Sequence, residues 1–138
     1  MAYLFPSAEW VKAFQEALNA SEAYRVSAAK WEGDFYFIVS AGHGLKEPVK
    51  FYLDLWHGQC REAYLVEGDD DKTPEFIIEG PLPVYQDIFS GKLDPIRALV
   101  SRKLKLKGNL GKIMRSVKAT LDLVQAAASV DTTFPEEA

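Results

Sequence analysis

Residues 89–115, FSGKLDPIRALVSRKLKLKGNLGKIMR, change backbone period three times, which restricts the fold more than any other stretch of the chain. Helical spacing stops at Gly91, where a C′ residue belongs. Asp94 then caps a second short helix with Pro95 at its first position, and Ile96, Leu99 and Val100 form its apolar side. Residues 102–107 alternate, with Leu104 and Leu106 facing in and Lys103, Lys105 and Lys107 facing out. That is strand periodicity, and outward lysines protect an edge from pairing with another chain. Gly108 turns the chain, and Asn109 caps a last helix with the stripe Leu110, Ile113, Met114, Val117, Leu121 and Val124.

The rest of the chain supplies further helices and a meander. Ser7 caps a helix over 7–19 that places Trp10, Val11, Phe14 and Leu18 on one side. Ser21 either caps a short helix to about residue 30, or the AYRV segment runs extended. Residues 34–40, DFYFIVS, are apolar on both alternating sets and predict a central strand covered on both faces. A second strand spans 49–56. In WHGQCR, Gly58-Gln59 fits a two-residue hairpin loop with Gly at the first central position of a type II′ turn. That register sets Leu55 opposite Glu62, Leu53 opposite Tyr64 and Phe51 opposite Val66. It predicts a core face of Phe51, Leu53, Leu55, Tyr64 and Val66. The other face, with Tyr52, Asp54, Trp56, Arg61 and Leu65, is amphipathic and exposed. GDDDKTP is a polar loop, residues 76–78 a fourth strand, and EGPLPVYQDIFSG a short helix with Tyr85, Ile88 and Phe89 on one side. The tail from Ser129 is expected to fray, with Phe134 able to dock.

This order predicts an α+β fold in which helices pack on one mostly antiparallel sheet. At 138 residues the chain fits a single domain spanning 1–138, with 129–138 as a flexible tail. Hydrophobic residues make up 48% and charged residues 26%, as in a soluble globular protein. A formal net charge of -4 argues against a nucleic-acid partner. The N-terminus has no leader pattern, no apolar run reaches membrane-spanning length, and PEEA is not an address tag. A cytoplasmic location is expected, with transient contact to an anionic surface open to the RKLKLKG run.

No motif assembles chemistry. His43 falls in one turn, and His57 with Cys60 in another, at opposite ends of the second strand. At most two could converge, whereas zinc needs three or four ligands, so no metal is expected. Cys60 beside His57 lacks an orienting third group. Asp69, Asp70 and Asp71 lack the spacing and distal Glu of a calcium loop. No phosphate-binding loop, dinucleotide fingerprint, HExxH or GxSxG occurs. The expectation is a protein without catalytic residues or cofactor. The apolar stripes remain, and they either fill a core or line a cavity, two outcomes with the same composition.

The run from residue 79 to 117 resembles the sterol carrier protein 2 (SCP2-like sterol-binding domain) family, on Gly91, Leu93, Pro95, Ala98, Leu104, Lys105, Gly108, Asn109 and Leu110. Asn109 stands where the family more often has Asp. DLWHGQCREAY is similar to the family's strand-turn-strand. The chain looks like a stand-alone prokaryotic or archaeal-type member. The resemblance implies a five-stranded sheet covered by about five helices. Between sheet and helices it implies a hydrophobic tunnel that binds or transfers sterols, fatty acids, acyl-CoA or other lipids without catalysis. From the apolar stripes, the candidate lining of such a tunnel is Phe76, Tyr85, Ile88, Phe89, Leu99, Leu104, Leu106, Ile113, Met114 and Val117. The alternative is an interaction or homodimerisation module with a filled core and a patch at Tyr52 and Trp56.

Overall fold

The elements run β1 (Tyr3–Leu4), α1 (Ala8–Ala20), α2 (Glu22–Ser27), β2 (Glu32–Val39), β3 (Val49–Trp56), β4 (Gln59–Val66), β5 (Phe76–Gly80), α3 (Leu82–Phe89), α4 (Pro95–Val100), β6 (Lys105–Lys107), α5 (Leu110–Met114), α6 (Val117–Ser129) and β7 (Thr132–Thr133) in a computed structural model that describes residues 2–135. Short-range chemistry starts the helices. The side chains of Ser7, Ser21, Asp94 and Asn109 each accept a backbone N–H at the first turn of α1, α2, α4 and α5. The segment after Ser21 is therefore helical rather than extended.

Five strands form one sheet in the order β4-β3-β2-β5-β6, and only the β2–β5 pair is parallel. All six helices are among the described residues, one more than the expected five because the last splits. The core gathers on one face of the sheet, where Trp10, Leu18, Leu53 and Leu82 are almost wholly buried. Edge strand β6 is shorter than the alternation predicts: its three residues pair antiparallel with β5, and Lys105 and Lys107 are exposed.

The hairpin between β3 and β4 corrects the expected register. His57 and Gly58, not Gly58 and Gln59, are the loop residues, with φ of 50° and 81°. Two positive φ values make a type I′ turn. A Cβ on Gly58 would lie 2.5 Å from the Arg25 carbonyl oxygen, so α2 leaves room only for glycine. Leu55 pairs with Cys60, then a bulge at Arg61 shifts the register so that Tyr52 faces Tyr64 and Phe51 faces Leu65. A one-residue slip exchanges faces. Leu65, not Tyr64, joins Phe51, and Tyr64 lies beside Tyr52 on the outer face.

That outer face is not exposed as expected. The chain leaves edge strand β4 and must reach β5 on the far side of β3 and β2. Helices occupy the core face, so the loop of residues 67–75 crosses the other. Three tyrosines hold it. Asp70 accepts the hydroxyls of Tyr36 at 2.5 Å and Tyr64 at 3.0 Å. The Lys72 carbonyl also accepts from Tyr36, while the Lys72 ammonium pairs with Glu62 and lies over the Tyr52 ring. Tyr52 is only 3% exposed as a result, which removes most of the Tyr52–Trp56 patch.

The Tyr36 hydroxyl, and after it that of Tyr64, holds the Asp70 carboxyl below its ordinary value. A depressed folded value means that this contribution is full above the unfolded value of about 3.9 and is lost as pH falls through the folded one. Asp70→Asn is expected to lower the melting temperature at neutral pH and to flatten its decline below about pH 4. Thermal melts of both proteins from neutral to acid pH check this, and parallel curves would contradict it.

The last helix is two helices. A turn at Arg115 and Ser116 separates α5 from α6, and Ser116 makes no side-chain cap bond. The turn resets the helical phase, so Leu121 of the expected stripe is 37% exposed, and Met114, the last residue of α5 before the turn, is 42% exposed. The buried face of α6 is Ala119, Asp122, Ala126 and Ala127 instead. Burial opposes ionisation of Asp122, but hydrogen bonds from Lys118 at 2.8 and 3.0 Å help hold its carboxyl below the usual range.

The expected fraying from Ser129 is corrected over residues 130–134. β7 pairs in parallel with β1, the Trp10 indole N–H donates to Thr132 Oγ1 at 2.9 Å, and the Phe134 ring lies 6.0 Å from that of Phe5. Residues 136–138 of that expected tail lie outside the described residues.

Candidate functional site: an apolar cavity

A cavity of about 90 Å³ lies between the core face of the sheet and the helices. Its floor is Phe35 and Phe37 of β2, Phe51 of β3 and Ile78 of β5. Strand alternation puts Phe35 and Phe37 on one face, and their rings stack at 5.2 Å, with Phe37 on Phe51 at 5.3 Å. Trp10 and Phe14, one helical turn apart on α1, form a wall. The roof comes from Tyr85, Ile88 and Phe89 of α3, Pro95 and Leu99 of α4, and Thr120, Leu123, Val124 and Ala127 of α6. Leu104 and Ile113 close the remaining side. Leu104 reaches in because Gly80 has no side chain: a Cβ there would lie 2.5 Å from Leu104 Cδ2.

The polar atoms of this lining are already used. The Tyr85 hydroxyl donates to the Ile38 carbonyl at 3.0 Å, and Thr120 Oγ1 donates to the Ser116 carbonyl at 3.1 Å. The indole N–H of Trp10 is held by Thr132. Burial, and then the Glu79 charge, push the Tyr85 phenol far above the ordinary tyrosine range, so it stays neutral. Among the described residues no buried side-chain nitrogen or oxygen lacks a partner. An occupant finds no free side-chain donor and no charge, and what the cavity offers is chiefly apolar contact.

The structure brings together Tyr85, Ile88, Phe89, Leu99, Leu104 and Ile113 of the candidate lining. It places the other four elsewhere. Phe76 is fully buried, but its ring is stacked with Trp31 at 5.7 Å and Phe35 at 4.9 Å. Leu106 is half-buried on the edge strand, Met114 points to solvent, and Val117 sits at the break between α5 and α6. The lining outside that candidate set has a sequence signal in part. Trp10 and Phe14 were legible as the stripe of α1, and Phe35 and Phe37 as one alternating set of β2, but neither pattern separates a cavity wall from solid core.

The Cys60–His57 neighbourhood offers no nucleophile. Cys60 is buried, and burial, then the Asp54 charge, push its thiol up to about 12, so it is protonated at neutral pH. His57 pairs with Glu32 at 2.5 Å, and its ring stacks on Trp56. Among the described residues no group of three or more His, Cys, Asp and Glu side chains is placed to hold a metal ion.

Comparison with known proteins decides the family. The SCP-2 sterol transfer family matches residues 9–122. The chain belongs to the SCP-2 sterol transfer family. A crystal structure of sterol carrier protein 2 is 36% identical, with a TM-score of 0.80 over 90% of this chain and 97% of that one. A solution structure of a conserved protein from Thermus thermophilus is 35% identical, with a TM-score of 0.82 over 92% of this chain and 90% of that one. Mouse stomatin-like protein 1 is 34% identical over 65 residues, 47% of this chain and only 16% of that protein's length. The five-stranded sheet covered by helices is thus the SCP-2 fold. No helix among the described residues is long and apolar enough to cross a membrane.

Proposed function

We propose that this SCP-2 family member binds the hydrocarbon chain of a lipid (a fatty acid, acyl-CoA, sterol- or isoprenoid-like molecule) in the cavity and carries it without chemistry. The observation that supports this reading is an apolar cavity whose polar lining atoms are all engaged within the protein. Each methylene taken from water into it contributes roughly 0.8 kcal/mol. The cavity volume of about 90 Å³ is well under the roughly 300 Å³ at which small-molecule pockets begin, so loading displaces side chains. Leu123 and Val124 of α6 are only half-buried, so they are the lining side chains of that helix with most room to shift.

Native mass spectrometry of delipidated protein with hexadecanoate and 1-hexadecanol tests this. One molecule of probe per chain is expected, surviving gentle desolvation. Failure to take up either probe would overturn the reading.

A further inference from the structure

Two depressions flank the cavity, one at each end of α6. The C-terminal one, of about 440 Å³, shares Phe89 and Ala127 with the cavity and carries Asp87, Lys92 and Asp131. The N-terminal one, of about 430 Å³, lies at the break between α5 and α6. Its charged lining is Lys30, Lys112, Arg115 and Lys118, with no acidic side chain. A narrow space of about 30 Å³ lies between this basic depression and the cavity. It shares Trp31, Ser116 and Ala119 with the depression, and Thr120 and Leu123 with the cavity. A line of mainly apolar lining therefore leads from the interior past Leu123 to a basic mouth.

Four cations around one opening run against a formal net charge of -4. Two of them are engaged. The Lys112 ammonium donates to Glu75 Oε2 and to the Glu32 carbonyl, and Lys118 pairs with Asp122. The side chains of Lys30 and Arg115 are exposed and have no ion-pair partner among the described residues. Val26, 66% exposed, adds an apolar lip to the same mouth. A cationic pair beside apolar surface, at the end of an apolar passage, matches a molecule that is anionic at one end and hydrocarbon at the other.

We propose that the ligand carries an anionic head group, a carboxylate or a phosphate monoester. Arg115 and Lys30 hold that head group at the α5–α6 mouth while the chain runs past Leu123 into the cavity. This inference rests on the hydrocarbon-binding reading and adds the charge and orientation of the ligand. The guanidinium of Arg115 can donate two parallel N–H bonds to carboxylate or phosphate oxygens, and Lys30 adds a point charge.

The test compares hexadecanoate, hexadecyl phosphate and 1-hexadecanol, all below their aggregation limits, on the wild-type chain and on a Lys30→Glu, Arg115→Glu variant. Both positions are exposed, and equal melting temperatures establish that the variant is folded. Wild type is expected to bind at least one anion about tenfold more tightly than the alcohol. The variant is expected to lose that preference with the alcohol affinity unchanged, and the preferred anion identifies the head group. Equal binding of anions and alcohol by wild type would overturn the head-group assignment and leave the hydrocarbon reading standing. So would a variant that weakens the alcohol as much as the anions. If the variant alters only adhesion to phosphatidylglycerol vesicles, the cluster is a membrane contact and the assignment fails. No binding of any of the three overturns both readings.

Discussion

Trp10→Ala is expected to destabilise the fold by about 3–5 kcal/mol. The indole is fully buried among Phe5 at 4.6 Å, Phe14 at 5.1 Å, Phe89 at 5.6 Å and Phe51 at 6.0 Å, so its removal opens a void that four rings cannot close together. It also deletes the bond to Thr132 Oγ1 that helps hold β7 against the N-terminal strand. A domain of this size is stable by about 5–15 kcal/mol, so the loss is a large share of the total. Urea unfolding measures it directly. Trp10→Phe keeps most of the apolar volume and is expected to cost much less, chiefly the hydrogen bond at about 1 kcal/mol and a partial cavity. Equal costs for the two variants would contradict the packing account.

Ala127→Leu is expected to reduce lipid uptake at least about tenfold, with a stability change within about 1 kcal/mol. Ala127 is 3% exposed and lines the cavity from α6, so the added carbons project into a volume of about 90 Å³ and fill much of it. Filling an apolar void recovers dispersion contacts, which offsets mild overpacking. Binding by a hydrocarbon chain needs the same volume, so binding and stability separate at this position. Titration with hexadecanoate, alongside thermal melts, makes the comparison. Retained uptake would move the ligand away from the cavity.

What the sequence disclosed follows the range of the interactions involved. Ser7, Asp94 and Asn109 announce helix starts because a cap bond reaches only two or three residues along the chain. The Leu/Lys alternation of residues 102–107 marks an edge strand because both faces of a strand are readable locally. The hairpin register is not legible locally because its turn depends on the Arg25 backbone packing against Gly58, a contact made far along the chain. The bulge at Arg61 that follows is stabilised by two bonds to Asp54, a pair expected from their shared face, and by the guanidinium over Trp56, which has no sequence signature. Fraying is the expectation for a terminal segment, with docking open to Phe134; the ordering partners of Thr132 and Phe134, Trp10 and Phe5, lie at the other end of the chain.

The cavity was half legible for a related reason. Tyr85, Ile88, Leu99 and Ile113 line it because their stripes face the sheet. Phe76 has the same apolar character and a fully buried side chain, yet it is consumed by stacking with Trp31 and Phe35. Leu121 leaves the buried stripe because a turn at Ser116, with neither Gly nor Pro to announce it, resets the phase of the final helix. That same turn creates the basic mouth.

The most direct test is a methyl NMR titration with hexadecanoate, reading Ile88, Leu99, Ile113 and Leu123 against Leu4 and Val66, which lie outside the cavity lining. The account predicts saturable shifts at the four cavity methyls at one equivalent of probe, with Leu4 and Val66 unmoved. Shifts confined to methyls outside the lining, or equal at all positions, would contradict a lipid held between the sheet and α6.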